Sequence, residues 1–464
     1  MSTNGRIPVI IDTDPGVDDT LAILLALASP ELEVLAIVVS FGNTDRASSH
    51  INILKIYQAL ARHIAEYPQD ASRFPGMTPS RKIILALGED LPLQGELHSA
   101  QYFHGRDGLG DITQRHPDLN IDDEMPADHS QLSITKRPGV EVALELIKSE
   151  PAQTISYLAL GPLTNLAKLL RLDRDTVCSR IGRVVCMGGG LDVPGNTSPV
   201  AEFNFFADPY AVKELLVPSD PGHGLPLDRF LLLPLDITTP HELSFPHYAA
   251  AVDPEFVSTA TPSRAAGKPP LVHFTSSFLE RTREVMVEFG KDAMELHDIV
   301  AVWCAIENPP VANEVPGAPP ALQRGWKAVQ RRFDIERRTV QRKRKRSILT
   351  RFVSISTPAA NSVGELTRGM LVVDRRDDQG AYAPGANRAE VQAELERHHF
   401  QHAGAYESTA LPAPVEVESR PATTTGDQGG AAQRGGVACI TETPGSAALV
   451  KLLLERVWGV NSKA

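Results

Sequence analysis

The stretch Val9-Ile10-Ile11-Asp12-Thr13-Asp14-Pro15-Gly16-Val17-Asp18-Asp19 constrains the fold more than any other part of the chain. It opens as a β-branched run, the composition of a buried parallel strand. Pro15-Gly16 then breaks the run, and apolar residues at Leu21, Leu24, Leu25 and Ala28 follow at helical spacing. Four carboxylates therefore sit where a strand ends and a helix begins, the place at which open α/β sheets bind ligands. Acids crowded into one loop repel one another, and a helix N-terminus relieves only one or two of them. An Asp-Pro-Gly turn with an N-cap accounts for Asp18 or Asp19 and leaves Asp12 and Asp14 unexplained. A bound divalent cation covers all four.

The 464 residues suit one large α/β domain, and we expect a single domain over 1–464. Hydrophobic residues make up 42% and charged ones 22%, the balance of a soluble globular protein. A formal net charge of −11 argues against a general nucleic-acid binder. Cys178, Cys186, Cys304 and Cys439 are scattered without Cys-x-x-Cys spacing, which points to a reducing compartment and against zinc. Met1 to Pro8 shows no secretory pattern, and the longest apolar run is too short to span a bilayer. No membrane partner and a cytoplasmic location are therefore expected.

Glu33–Ser40 reads as a second buried strand ending in Phe41-Gly42-Asn43-Thr44, with a helix from about Ser48 to Ala61. This order implies a mostly parallel open sheet with right-handed crossovers, flanked by helices. Residues 68–80 are Pro-rich and read as loop, Ile83–Leu87 as strand, and 113–136 as polar and irregular. The Gly-rich run from His104 to Asp111 matches neither a P-loop nor a dinucleotide turn, and suggests a flexible polar loop that could close as a lid. Val140–Lys148 is helical, Thr154–Leu160 is a strand, and Gly161-Pro162-Leu163-Thr164-Asn165 leads into another helix. Arg183–Met187 is a strand running into Gly188-Gly189-Gly190, where backbone could approach a ligand closely. Glu202 and Asn204 are two apart, so extended backbone would put them on one face, with Phe203 and Phe205 on the other. A plain edge strand fits that pattern equally well. Leu231–Leu235 with Asp236-Ile237-Thr238 reads as another strand end, Ser276–Phe289 as an amphipathic helix, and His297-Asp298 as the opening of a further helix. Residues 407–436 read as a disordered loop, and Ser446–Val457 as a closing helix.

Together these pieces resemble the calcium-dependent nucleoside hydrolase family, of the inosine–uridine preferring type. Asp12-Thr13-Asp14-Pro15-Gly16-Val17-Asp18-Asp19 is similar to its defining N-terminal motif. Agreement continues at Gly42-Asn43, His104-Gly105, Asp107 to Gly110, Gly161 to Asn165 and Met187 to Gly190. It holds again at Asn196 through Asn204, Asp208-Pro209 and His297-Asp298, and is looser from residue 363 onward. The resemblance implies a Rossmann-like architecture that hydrolyses the N-glycosidic bond of ribonucleosides to ribose and free nucleobase. Asp14, Asp19 and Asp298, with the main-chain carbonyl of Leu160, would hold Ca2+. Asp14 would also deprotonate the calcium-bound water, the nucleophile at C1′. Asp18, Asn43, His104, Asn196, Glu202 and Asn204 would contact the substrate, His297 would protonate the departing base, and Asp12 would brace the ligands. Arg281, Val285 and Phe289, one turn apart, would face the base, and they match neither a purine nor a pyrimidine pattern. Family members are usually homo-oligomers, so a dimer or tetramer is expected, with a role in purine and pyrimidine salvage.

The residue types suit that chemistry without the family. Oxygen-only ligands select a hard cation, and a carboxylate–carbonyl–water shell suits calcium. N-glycosidic cleavage builds positive charge on the sugar, which a carboxylate-rich pocket stabilises. Water needs a base and the leaving base needs a proton, which histidine can supply. A haloacid-dehalogenase-type phosphatase also uses Asp-x-Asp after its first strand, but phosphate would face too many carboxylates here. A calcium-dependent carbohydrate-binding protein would not need Asp14 and His297.

Residues 337–362 hold eight Lys or Arg and no acid. On the left, Phe333-Asp334-Ile335-Glu336, and on the right, Gly364 to Asp374, would join into one family-like hairpin. A nuclear-localisation patch at Arg342 to Arg346 and a solvated hairpin-tip loop are the alternatives. We read the tract as an intron retained in the coding sequence, because it splits an otherwise intact motif.

Overall fold

The structure, a computed structural model, describes residues 5–121, 129–220, 222–311, 320–337, 366–373 and 436–460. The basic tract beyond Arg337 and the stretch 407–435 lie outside the described residues. Of two compact units, Met1–Val372 with Gly435–Ala464 is the larger and carries all that follows.

Its strands are β1 (Ile7–Thr13), β2 (Leu32–Val39), β3 (Ile83–Leu87), β4 (Leu132–Pro138), β5 (Ser156–Ala159), β6 (Arg183–Met187) and β7 (Phe230–Leu233). Then come β8 (Glu242–Ser244), β9 (Ala293–Glu295), β10 (Lys327–Arg331), β11 (Phe333–Ile335), β12 (Leu371–Val373) and β13 (Val437–Glu442). Nine of them form one sheet in the order β10-β13-β7-β6-β5-β1-β2-β3-β4. Every pairing is parallel except β10 with β13. The expected α/β architecture with a mostly parallel sheet and flanking helices is what forms. From β1 the chain builds outward through β2, β3 and β4 on one side, then returns to β5 and builds through β6 and β7 on the other. The switch point therefore lies between β1 and β5, and open sheets of this kind bind ligands at that crevice.

β1 and its neighbours are buried on both faces, which is why the sequence shows continuous apolar runs rather than alternation. Helix α1 (Val17–Leu27) is buried along its whole length except at Asp18, so it is a core helix rather than an amphipathic one. It packs against the His297–Glu307 helix, itself apolar and buried from Ile299 to Ile306. Both helices begin at the C-terminal edge of the sheet, and this packing brings their first turns together. Among the described residues no helix is long and apolar enough to cross a membrane.

Three local readings are corrected. Residues 113–136 are not irregular throughout: β4 closes one edge of the sheet, preceded by helical turns at Ile112–Arg115 and Pro117–Leu119. Glu202 to Asp208 is not extended, because Phe203–Ala207 is a helical turn capped by the Glu202 carboxylate. β7 stops at Leu233, and Leu235–Thr238 is a helical turn rather than strand. The closing helix runs Ser446–Leu453 and continues as a wider π turn through Trp458. β11 and β12, which flank the basic tract, pair with each other, Glu336 N donating to Met370 O at 3.0 Å.

Candidate active site

The end of β1 and the start of α1 place Asp14, Asp18 and Asp19 at the switch point, and the His297–Glu307 helix adds Asp298. One carboxylate oxygen each from Asp18, Asp19 and Asp298 lies within 4.8 Å of the others. Asp19 is the most tied down. Its Oδ1 accepts from Thr13 Oγ1 at 2.5 Å, and its Oδ2 accepts from Gly16 N at 3.1 Å and Asn43 Nδ2 at 2.8 Å. The Gly16 bond is half of a capping box, so Asp19 also starts the helix. Asp14 is fully buried, and its Oδ2 accepts from Asn43 N at 2.7 Å.

What is left unpaired tests whether these residues suit a hard cation. Among the described residues, Asp14 Oδ1 and Asp18 Oδ1 are shut off from solvent with no hydrogen-bond partner. Buried acceptors are rarely left so. Backbone closes on Asp14 from two sides: a Cβ on Gly42 would sit 1.9 Å from Oδ2, and one on Gly161 2.4 Å from Oδ1. Burial and then the Asp19 charge push Asp14 well above the usual carboxylate range, and Asp18 up to about 7. Burial, then Asp18, Asp19 and Asp14, do the same to Asp298. Two helix N-termini meet here, each worth about 0.3–1 kcal/mol to a nearby anion, too little for four buried acids. An oxygen-only set with two unpartnered atoms fits a divalent cation.

The polar groups expected around the substrate are also brought here, each anchored by part of its side chain. Leu160 directly follows β5, and its carbonyl accepts from Asn204 Nδ2 at 2.7 Å. Glu202 takes Asn204 N at 2.7 Å on Oε1, and Gly189 N at 2.8 Å and Phe205 N at 3.1 Å on Oε2. Asn196 Oδ1 accepts from Phe203 N at 2.9 Å. Asn43 donates its backbone N–H to Asp14 and its Nδ2 to Asp19. His104 Nδ1 accepts from Val17 N at 3.2 Å, so the Gly-rich loop caps α1. Burial and then the charge of His297 hold His104 down at about 3, which keeps it neutral. Asp12 stands behind the site, accepting from Tyr157 Oη at 2.8 Å and Asn165 Nδ2 at 2.7 Å. Of the three residues expected to face the base, Val285 is buried, Arg281 pairs with Glu284 at 3.2 Å, and Phe289 is 66% exposed.

His297 opens its helix with both ring nitrogens engaged. Nδ1 lies 2.8 Å from Thr238 Oγ1, and Nε2 3.0 Å from Glu295 Oε2. Burial opposes charge on the ring, but the bond to Glu295 and the charges of Glu295, Asp18 and Glu202 outweigh it and raise its pKa. Glu295 is raised by burial, yet His297 and Lys291 hold it down at about 2. Neither Glu295 nor Thr238 stood out as a site residue in the sequence. Glu295 carried a signal, since strand spacing two residues before His297 puts both on one side.

A mostly parallel α/β sheet, with buried carboxylates gathered at its switch point and an imidazole beside them, presents a set of oxygen donors that suits a hard cation. The chain belongs to the inosine-uridine preferring nucleoside hydrolase family, whose model matches residues 9–402. It is 32% identical over 204 residues to uridine nucleosidase 1 of Arabidopsis thaliana, covering 44% of this chain and 51% of that one. It is 34% identical over 203 residues to the inosine-uridine preferring nucleoside hydrolase of Leishmania major, covering 44% and 54%. The chain thus spans about half the length of the curated relatives it matches. Among solved structures, an inosine-guanosine nucleoside hydrolase shares the fold, with a TM-score of 0.58 at 20% identity over 98% of this chain and 100% of that one.

Proposed function

We propose that this chain hydrolyses the N-glycosidic bond of ribonucleosides, releasing ribose and the free nucleobase. The observation that carries the reading is Asp14, a fully buried carboxylate whose Oδ1 has no hydrogen-bond partner among the described residues. Calcium is the cation that the oxygen donors suit, held by Asp14, Asp19, Asp298 and the Leu160 carbonyl, with Asp18 near enough to join. Bound there, it would supply Lewis acidity and take up sugar hydroxyls.

The chain's own groups account for the remaining work. Asp14 Oδ1 would accept the proton of the water attacking C1′. The surrounding carboxylates would stabilise positive charge as the sugar loses its base. Asn43, Asn196 and Asn204 are anchored through one part of their amides, leaving Asn43 Oδ1, Asn196 Nδ2 and Asn204 Oδ1 to hold the ribose. Asp18, Glu202 and neutral His104 would contact the same substrate. His297 would protonate the leaving base. One of its contacts has to give way first, and the neutral Thr238 hydroxyl is the weaker holder than the Glu295 carboxylate.

The reading carries a cytoplasmic location, from the cysteine usage, and a homo-oligomeric state, from the family resemblance. Incubating the chain with a panel of purine and pyrimidine ribonucleosides in calcium, and measuring reducing sugar, tests it. Release of ribose from at least one of them is expected. Binding of nucleosides without any release would leave a ribose-binding protein instead.

A further inference from the structure

Another convergence of ligating side chains shares no residue with the acid cluster. His116 ends the Ile112–Arg115 turn, Asp118 lies in the Pro117–Leu119 turn, and His273 sits in the first turn of the Pro270–Glu288 helix. One ligand atom from each lies within 4.8 Å of the other two. Both imidazoles are 3% exposed, with ring centroids 5.7 Å apart, whereas the Asp118 side chain is 52% exposed. His273 Nε2 is 2.8 Å from Asp118 Oδ2, and His116 Nε2 is 3.1 Å from buried Glu280 Oε2.

We propose that His116, Asp118 and His273 form a second divalent-cation site, of the zinc and cobalt class, that staples the segment after the Gly-rich loop to the Pro270–Glu288 helix. Two imidazoles with one carboxylate are a three-ligand set for a borderline metal, leaving a fourth position on the open, Asp118 side. Calcium is unsuited to it, since it takes six or more oxygens. The outer support a metal-bound histidine needs is already in place. His273 Nδ1 is 3.0 Å from Ser263 Oγ, which Lys268 Nζ also contacts at 3.3 Å. Separate hydrogen bonds, His273 with Asp118 and His116 with Glu280, explain the contacts in pairs but not why one ligand atom from each of His116, Asp118 and His273 lies within 4.8 Å of the other two. The two elements already touch nearby: a Cβ on Gly110 would lie 2.8 Å from Arg281 Cβ and 3.0 Å from Phe278 O. Cysteine spacing argued against zinc, but that argument reaches only thiolate sites. Histidines so distant in sequence have no spacing to read.

The test uses the full chain, stripped with a chelator, returned to excess calcium and titrated with cobalt(II) and then zinc. One equivalent of cobalt is expected, with the visible absorption of a four-coordinate nitrogen–oxygen site that zinc displaces and calcium does not. Added zinc should raise the melting temperature. His273→Asn should lose the cobalt band. If that variant does not fold, Asp118→Asn decides, because its side chain is largely exposed. It should weaken zinc binding at least about tenfold while leaving the metal-free melting temperature and ribose release unchanged. Cobalt that fails to bind at micromolar concentration, or binds Asp118→Asn as well as wild type, overturns the proposal.

Discussion

Replacing Gly161 by alanine tests the site without removing any functional group. The added Cβ would lie 2.4 Å from Asp14 Oδ1 and 3.0 Å from Asp14 Cγ, where ordinary contact begins near 3.4 Å. The carboxylate must therefore withdraw by about 1 Å. It cannot simply rotate, because Asn43 N holds Oδ2 at 2.7 Å and Gly42 closes on it from the other side. Gly161 is not among the residues with positive φ, so alanine brings no backbone strain. The lost freedom of the unfolded chain stabilises by about 0.4–1 kcal/mol, against about 1–3 kcal/mol for overpacking. Net stability should fall by no more than about 2.6 kcal/mol. Misplacing a reacting group by about 1 Å costs about 10²-fold in rate, near 2.7 kcal/mol of barrier. Kinetics of ribose release, calcium affinity and a thermal melt on one preparation read all three. A well-folded Gly161→Ala chain with wild-type kcat/KM would refute the placement of Asp14 at the reacting centre.

His297→Ala should slow natural nucleosides by about 10²–10⁴-fold yet spare p-nitrophenyl riboside, whose leaving group needs little protonation; equal losses on both would point to damaged binding or folding. Glu31→Gln removes a carboxylate bonded to Arg456 at 2.7 and 2.8 Å. Burial would raise the Glu31 pKa, but Arg456 outweighs it and lowers it, so the pair stabilises above the ordinary value of 4.5 and fades as pH falls through the depressed one. At 39% exposure, solvent screens the pair, so the loss should be at most about 1 kcal/mol at neutral pH and vanish in acid; a penalty that persists in acid melts would contradict this. Deleting residues 337–362 should leave ribose release intact, since no proposed site residue lies there, and transcripts from the source cell should lack the segment. Transcripts that predominantly encode it would contradict the retained-intron reading.

The hinge from β1 to α1 was legible because the apolar pattern changes there, from a β-branched run to helical spacing, with Pro15-Gly16 between. β4 was not, because it is an edge strand with only Leu132 buried, so no alternation marks it. The Phe203–Ala207 turn was misread because five residues are too few to show a helical period, while Glu202 and Asn204 happen to alternate with two phenylalanines. The deciding interaction there is the Glu202 carboxylate capping two backbone N–H groups, which local spacing does not reveal. In the site, adjacent acids and the His297-Asp298 pair were visible. Thr238 and Glu295 were not, because their role is to hold His297, and that depends on a ring orientation set by tertiary packing.

The most direct measurement is kcat/KM for ribose release by wild type and by Asp14→Ala, side by side in calcium. Wild type should turn over at least one ribonucleoside, and Asp14→Ala should lose several orders of magnitude while keeping a wild-type melting curve. Near-normal turnover by Asp14→Ala would contradict the account, because the buried unpartnered oxygen on which it rests would then take no part in the reaction.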